Sequence, residues 1–108
     1  MGRKVAFMAN ILEKTGVVVS NRQLSDRLWV IDIKVDALGV DLMPGQFVHM
    51  LIPGMEGHIL RRPFSVFYVS EHGSVITILY QVVGFGSKHL TTVEPGTAVN
   101  LLGPIGHG

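Results

Sequence analysis

A chain of 108 residues with 47% apolar and 16% charged residues can build one hydrophobic core and is not composed like a disordered segment. Its formal net charge of +1 argues against a broad nucleic-acid surface. It has no cysteine, which excludes disulfides, thiolate nucleophiles and cysteine-ligated clusters within the chain.

The start, Met1-Gly2-Arg3-Lys4-Val5-Ala6, has no long apolar run of the kind a signal peptide carries. Ala6 departs from the myristoylation pattern. No apolar run approaches the ~18 residues of a membrane span. The expectation is a cytoplasmic domain without membrane association. Ala6 to Leu12 fits a strand or a short helix, and both readings stay open. Thr15-Gly16 carries a turn signal, and Val17-Val18-Val19 is β-branched and strand-like. Asn21 to Arg27 is polar and reads as a strand end and a turn. Leu28 to Val35 alternates, with Trp29, Ile31, Ile33 and Val35 on one face and Asp32 and Lys34 on the other.

Pro44-Gly45 marks a turn before a strand over Gln46 to Ile52, and Pro53 to His58 is a loop rich in breakers. A strand over Phe64 to Val69, a hairpin turn at Glu71-His72-Gly73-Ser74 and a returning strand from Val75 to Val83 follow. Ser87 to Val93 invites the only helix, a short one with Leu90 and Val93 on its inner face. Glu94-Pro95-Gly96-Thr97 is a turn before a last strand over Ala98 to Leu102. Short strands between Gly and Pro turns suggest an antiparallel barrel or sandwich, and about six strands closed on themselves would solve the exposed-edge problem; the expectation is an all-β antiparallel Greek-key barrel of about six strands with one short helix.

Two stretches stand out chemically. In Leu60-Arg61-Arg62-Pro63-Phe64-Ser65, Pro63 fixes its own φ and holds Arg62 extended at a strand mouth. A guanidinium fork, an aromatic ring and a hydroxyl then lie close together. A planar ring with polar edges, tied to a phosphate, would use all three. In Leu79-Tyr80-Gln81-Val82-Val83-Gly84-Phe85-Gly86-Ser87-Lys88, a strand runs into glycines that let the backbone turn tightly. A short helix follows, whose first N–H groups lack internal partners. That loop reads equally as a phosphate cradle or as a plain connection into a capped helix. It matches neither the Rossmann fingerprint nor a Walker A loop.

Together, Arg62-Pro63-Phe64-Ser65, Leu79-Tyr80-Gln81 and Gly86-Ser87 resemble the FAD-binding barrel of the ferredoxin-reductase superfamily. Within it, the likeness is to the electron-transfer subunits of NAD-linked dihydroorotate dehydrogenases. Pro44-Gly45-Gln46-Phe47 and Leu102-Gly103-Pro104-Ile105-Gly106-His107-Gly108 also resemble that family, and the likeness runs from Gly16 to Gly108. It implies that Arg62 pairs with the FAD pyrophosphate, Phe64 packs near the isoalloxazine and Ser65 bonds near its N5 edge. Pro63 holds this stretch extended. Leu79, Tyr80 and Gln81 would line the cofactor, and Gly86 and Ser87 would hold the pyrophosphate. Ser87 stands where threonine is common, and Phe85 where lysine is common.

The resemblance also implies a division of the chain. Residues 1–15 would be an N-terminal extension and 16–102 the FAD-binding barrel. Residues 103–108 would begin a linker to a nicotinamide-binding domain, with the two-iron two-sulfur cluster further downstream. A catalytic dehydrogenase subunit is the implied partner, and an oligomer is compatible with it.

The remaining candidates carry blander expectations. His49 reads as barrel wall. His58, His72, His89 and His107 lack the spacing of a zinc site. Asp32, Asp36 and Asp41 read as solvated positions, Trp29 as core and Arg61 as a solvated arginine. A nucleic-acid-binding barrel would want basic stripes with interleaved aromatics, but aromatics are 7%. A docking barrel without flavin is the alternative function.

Overall fold

The computed structural model describes residues 12–35, 43–55, 57, 61–70 and 74–105. Six strands close into a barrel: β1 (Leu12–Gln23), β2 (Leu28–Lys34), β3 (Phe47–Leu51), β4 (Arg62–Val69), β5 (Val75–Gln81) and β6 (Ala98–Ile105). Their order around the barrel is β1-β2-β5-β4-β3-β6, and every neighbouring pair is antiparallel. Among the described residues the one helix, α1 (Phe85–Leu90), lies between β5 and β6. The described residues thus form the expected six-stranded antiparallel barrel, with one short helix among them.

The alternation in β2 works as its sequence implies. Ile31, Ile33 and Val35 are fully buried, and Trp29 packs partly against the same cluster. Val48 and Met50 of β3, Ile76 and Ile78 of β5, and Val99 and Leu101 of β6 complete that interior. In β3 and β5 alternate residues are buried, so closing the sheet gathers their apolar faces inward.

Several element limits differ from the sequence expectation. Thr15-Gly16 is not a turn but the middle of β1, where Gly16 pairs with Val99. A Cβ at Gly16 would come within 2.6 Å of Ile33 Cγ2 and 3.0 Å of the Lys34 carbonyl. The glycine is there for close approach of β2, not for chain reversal. β1 continues through Asn21 to Gln23, paired with β2, where the polar composition suggested an end. It also begins at Leu12, before the expected barrel start at residue 16. β6 reaches Ile105, beyond the strand end expected at Leu102. The undecided stretch Ala6 to Leu12 lies outside the described residues except for Leu12.

α1 starts at Phe85 and ends at Leu90, not Ser87 to Val93. Gly84 precedes it with φ 137° and no side-chain cap, so the usual polar start signal is missing from the sequence. Leu90 and Val93 do face inward, as expected. Asn21 pins the end of the helix to β1. Its Nδ2 donates to the carbonyls of Leu90 and Val93, both at 2.9 Å. The carbonyl of the last helical residue and that of Val93, just beyond the helix, are thereby bonded by a side chain from a distant strand.

Candidate functional site

The site begins as a defect in the sheet. β4 and β5 pair only from Val66↔Ile78 to Val69↔Ile76. Before Val66, β4 is laddered to β3 alone, from Phe47↔Ser65 to Met50↔Arg62. After Ile78, β5 is laddered to β2 alone, through Leu79↔Val30, Tyr80↔Trp29 and Gln81↔Leu28. Arg62 to Ser65 and Leu79 to Gln81 therefore diverge, and each presents an edge without a ladder partner to the gap. Pro63 suits this position, because the N–H it lacks is not needed for pairing with β5.

The gap is a groove of about 280 Å³, lined by Arg62, Pro63, Phe64, Ser65, Leu79, Tyr80, Gln81, Val83 and Ser87. Both sequence stretches thus meet in one place. Gly86 is the expected residue that does not line it; it is buried within α1. Val83, which does line it, was not singled out from the sequence, and only its place between the strand and Gly84 hinted at it.

Arg62 is exposed at the first position of β4, and Ser65 is exposed as well. Among the described residues, the Arg62 side chain has no hydrogen-bond or ion-pair partner. Phe64 is half-buried and meets Tyr80 edge-on, with ring centroids 6.2 Å apart. Tyr80 is only 4% exposed. Its hydroxyl turns away from the groove and donates to Asn21 Oδ1 at 2.8 Å. Burial pushes the Tyr80 phenol well above its ordinary value, and the bond to Asn21 offsets only part of that. Tyr80 therefore forms a neutral floor to the groove. Asn21 links that floor to the helix wall, since the same amide holds the Leu90 and Val93 carbonyls.

The hydroxyl of Ser87 closes the loop that carries it. Its Oγ accepts from the Val83 N–H at 2.8 Å and lies 3.4 Å from the Gly84 carbonyl. This local bond fixes the turn at the groove's rim.

Arg61 is not a solvated arginine. Its guanidinium donates to the His49 carbonyl at 3.2 Å, to Glu13 Oε2 at 3.0 Å and to Asn100 Oδ1, joining β3, β1 and β6. Successive residues take opposite sides of an extended chain, so holding Arg61 on one side leaves Arg62 on the other, beside the groove. Asp32 is likewise not a free solvated carboxylate. Ser20 Oγ donates to its Oδ2 at 2.9 Å and Thr77 Oγ1 to its Oδ1 at 2.6 Å, a rung across β1, β2 and β5. His49 is a half-buried β3 residue, as expected of barrel wall. Asp36, Asp41, His58, His72 and His107 lie outside the described residues.

A closed antiparallel barrel thus carries an arginine, two aromatic rings and a serine in one groove where two strands part. Solved structures of the same fold include the ferredoxin reductase in carbazole 1,9a-dioxygenase. It superposes with a TM-score of 0.75 at 21% identity, covering 89% of this chain and 30% of that one. The cytochrome P450 reductase of Amycolatopsis gives a TM-score of 0.76 at 19% identity, covering 90% and 29%. Residues 15–108 match the family described as the oxidoreductase FAD-binding domain, and the chain belongs to that family. Among curated relatives, the dihydroorotate dehydrogenase B (NAD(+)) electron transfer subunit of Lysinibacillus sphaericus is 36% identical over 91 residues, 84% of this chain. The corresponding subunit of Desulforamulus reducens is 42% identical over 66 residues, 61% of this chain. The chain spans only 35% and 25% of those two relatives' lengths. No helix among the described residues is long and apolar enough to cross a membrane.

Proposed function

We propose that this barrel holds FAD in the groove between β4 and β5 and serves as the flavin domain of an electron-transfer subunit. The observation that carries the reading is the meeting of Arg62-Pro63-Phe64-Ser65 and Leu79-Tyr80-Gln81 on the facing, unladdered strand edges of one groove. The donor set fits the group. Arg62 is a fork, without a partner among the described residues, that suits a pyrophosphate. Phe64 gives a half-buried ring edge to a planar ring system, and Ser65 gives an exposed hydroxyl to its polar rim. The strand edges at Leu79 and Gln81 offer backbone donors and acceptors, and Tyr80 keeps the floor dry and uncharged. Ser87 adds a first-turn N–H at the rim, with Gly86 buried in α1 just before it.

Bound flavin supplies the ability to take two electrons from a nicotinamide and release them one at a time. The residues of this chain bind and orient it. On this reading the nicotinamide site and the two-iron two-sulfur cluster belong to segments other than the barrel, beyond a linker that follows β6, later than the residue 103 expected from the sequence because β6 extends to Ile105. A catalytic dehydrogenase subunit is the partner that receives or supplies the electrons, a reading supported by relatives that are electron transfer subunits of dihydroorotate dehydrogenase B. The setting is cytoplasmic.

The test is titration of FAD into apo-protein by calorimetry. Charge-assisted hydrogen bonds contribute roughly 1.5–3 kcal/mol each, so Arg62→Ala should weaken binding by about tenfold to several hundredfold, with the far-UV circular dichroism unchanged. Equal affinity for wild type and Arg62→Ala would place the pyrophosphate elsewhere. A colourless preparation that takes up no added FAD would select the docking barrel instead.

A further inference from the structure

Asn21 is a polar side chain at a position where the strand alternation puts apolar ones. It pairs with Ile31 across β1 and β2, and residues directly opposite in an antiparallel pair share a face. Ile31 is fully buried, so Asn21 is turned toward the interior. An amide placed there costs free energy unless its donors and acceptor are bonded. All of them are engaged. The amide nitrogen holds the carbonyls of Leu90 and Val93 at 2.9 Å each, and the oxygen accepts from the Tyr80 hydroxyl at 2.8 Å.

These bonds close a circuit beside the groove. From Tyr80 the chain leaves β5, passes Gly84 and enters α1 at Phe85. The first turn of α1 is tied back to the approach by the Val83 N–H, which donates to Ser87 Oγ at 2.8 Å. The far end of α1 is tied back to Tyr80 itself, through Asn21. The helix is thus held at both ends to the stretch that leads into it. Gly84, with φ 137° and no side-chain cap, is the joint about which α1 would otherwise swing. Tyr80 and Ser87 both line the groove, whereas Asn21 does not.

We infer that Asn21 is a positioning residue for the groove: it fixes the Ser87 rim against the Tyr80 floor, so that the groove is shaped for a flavin before one binds. The inference rests on the flavin reading of the groove and adds to it a residue outside the lining. A site ordered in advance avoids the cost of immobilising its own side chains on binding. Opening the circuit at either junction of Asn21 forfeits that advantage once. Tyr80→Phe opens the junction with the floor and keeps the aromatic ring, and the hydroxyl it removes faces Asn21. Asn21→Asp keeps the acceptor for Tyr80 and opens the junction with the helix, because a carboxylate donates nothing.

The test is a double-mutant cycle on FAD binding. Wild type, Tyr80→Phe, Asn21→Asp and the double variant are titrated as full chains by fluorescence. Each single variant should weaken FAD by about twofold to tenfold, the ordering cost of a side chain. The two losses should be equal, and the double variant should bind no more weakly than either, because an open circuit cannot be opened again. Urea unfolding supplies the contrast. Asn21→Asp gives up two bonds and sets a carboxylate against two carbonyls, so it should lose more stability than Tyr80→Phe, which gives up one. A merely structural role would make the FAD losses follow that ranking. A larger FAD loss in Asn21→Asp than in Tyr80→Phe, or losses that multiply in the double variant, would overturn the positioning role while leaving the flavin reading intact. So would unchanged FAD affinity in Tyr80→Phe, the milder variant, which decides the matter even where Asn21→Asp does not fold. Absence of FAD binding by wild type would instead bring down the flavin reading and this inference with it.

Discussion

Arg61→Ala should destabilise the barrel without altering the lining of the β4–β5 groove, the opposite of what Arg62→Ala should do. The guanidinium of Arg61 bridges three strands through the His49 carbonyl, Asn100 Oδ1 and Glu13 Oε2. Its side chain is 21% exposed and that of Glu13 is 62% exposed, so this ion pair contributes about 0–1 kcal/mol. The other two are hydrogen bonds from a charged donor, worth roughly 1.5–3 kcal/mol each at good geometry. The one to His49 sits at 3.2 Å, near the long limit, which favours the low end. Water can reach some of the vacated acceptors, so a net loss of about 2–4 kcal/mol is expected. For a domain of this size each kcal/mol shifts Tm by about 4–8 °C, giving a drop of roughly 10–25 °C. Thermal melts followed by circular dichroism, with urea unfolding at unchanged m-value, measure it. A melting point within about 2 °C of wild type would show that the three-strand bridge holds nothing together. A drop for Arg62→Ala in its place would mean the roles of the two arginines are exchanged.

Other substitutions probe the remaining joints. Asn21→Ala removes one acceptor and two donors at once and should cost about 2–4 kcal/mol in urea unfolding. Asn21→Asp, which keeps only the acceptor for Tyr80, should be no more stable than alanine. Gly16→Ala places a methyl 2.6 Å from Ile33 and should cost about 1–3 kcal/mol by overpacking, whereas a mid-strand turn there would tolerate it. The Tyr80 phenol is raised in the folded state by burial, so its contribution is intact below the unfolded value of about 10 and is lost as pH rises beyond it. Unfolding free energies measured from pH 8 to 11 should therefore fall above about pH 10, and Tyr80→Phe should flatten that fall.

The parts of this molecule legible in its sequence are those set by local chemistry. Alternation of Ile31, Ile33 and Val35 against Asp32 and Lys34 fixes the inward face of β2, because the strand period itself sorts them. Pro63 makes the extended entry of β4 readable, and with it Arg62, Phe64 and Ser65. What escaped is set by distant partners. Nothing beside Asn21 announces carbonyls at Leu90 and Val93, which β1 meets only once the barrel has formed. Arg61 and Arg62 are identical neighbours, and only the positions of His49, Asn100 and Glu13 separate the bridging arginine from the one that lines the groove. Thr15-Gly16 looks like a turn because glycine usually signals one, yet this glycine answers to Ile33 across the sheet. The helix start was misplaced because Gly84 enters it without a polar cap.

The pairing of β6 with both β1 and β3 also sets the order in which this chain can fold. β2 can meet β1, and β4 can meet β3 and β5, from segments already made. The seam cannot close until the last strand has been synthesised, because Leu12 pairs with Gly103. Loop-closure entropy is largest for such a contact, so the barrel should fold in milliseconds to seconds, not microseconds. Until β6 arrives, β1 and β3 each carry a bare edge competent to pair with another chain. The interval before closure is thus the stage at which a nascent copy is most exposed to aggregation. Variants that weaken β6, such as Leu101→Ala in its fully buried position, should reduce soluble yield more than their equilibrium stability alone would indicate.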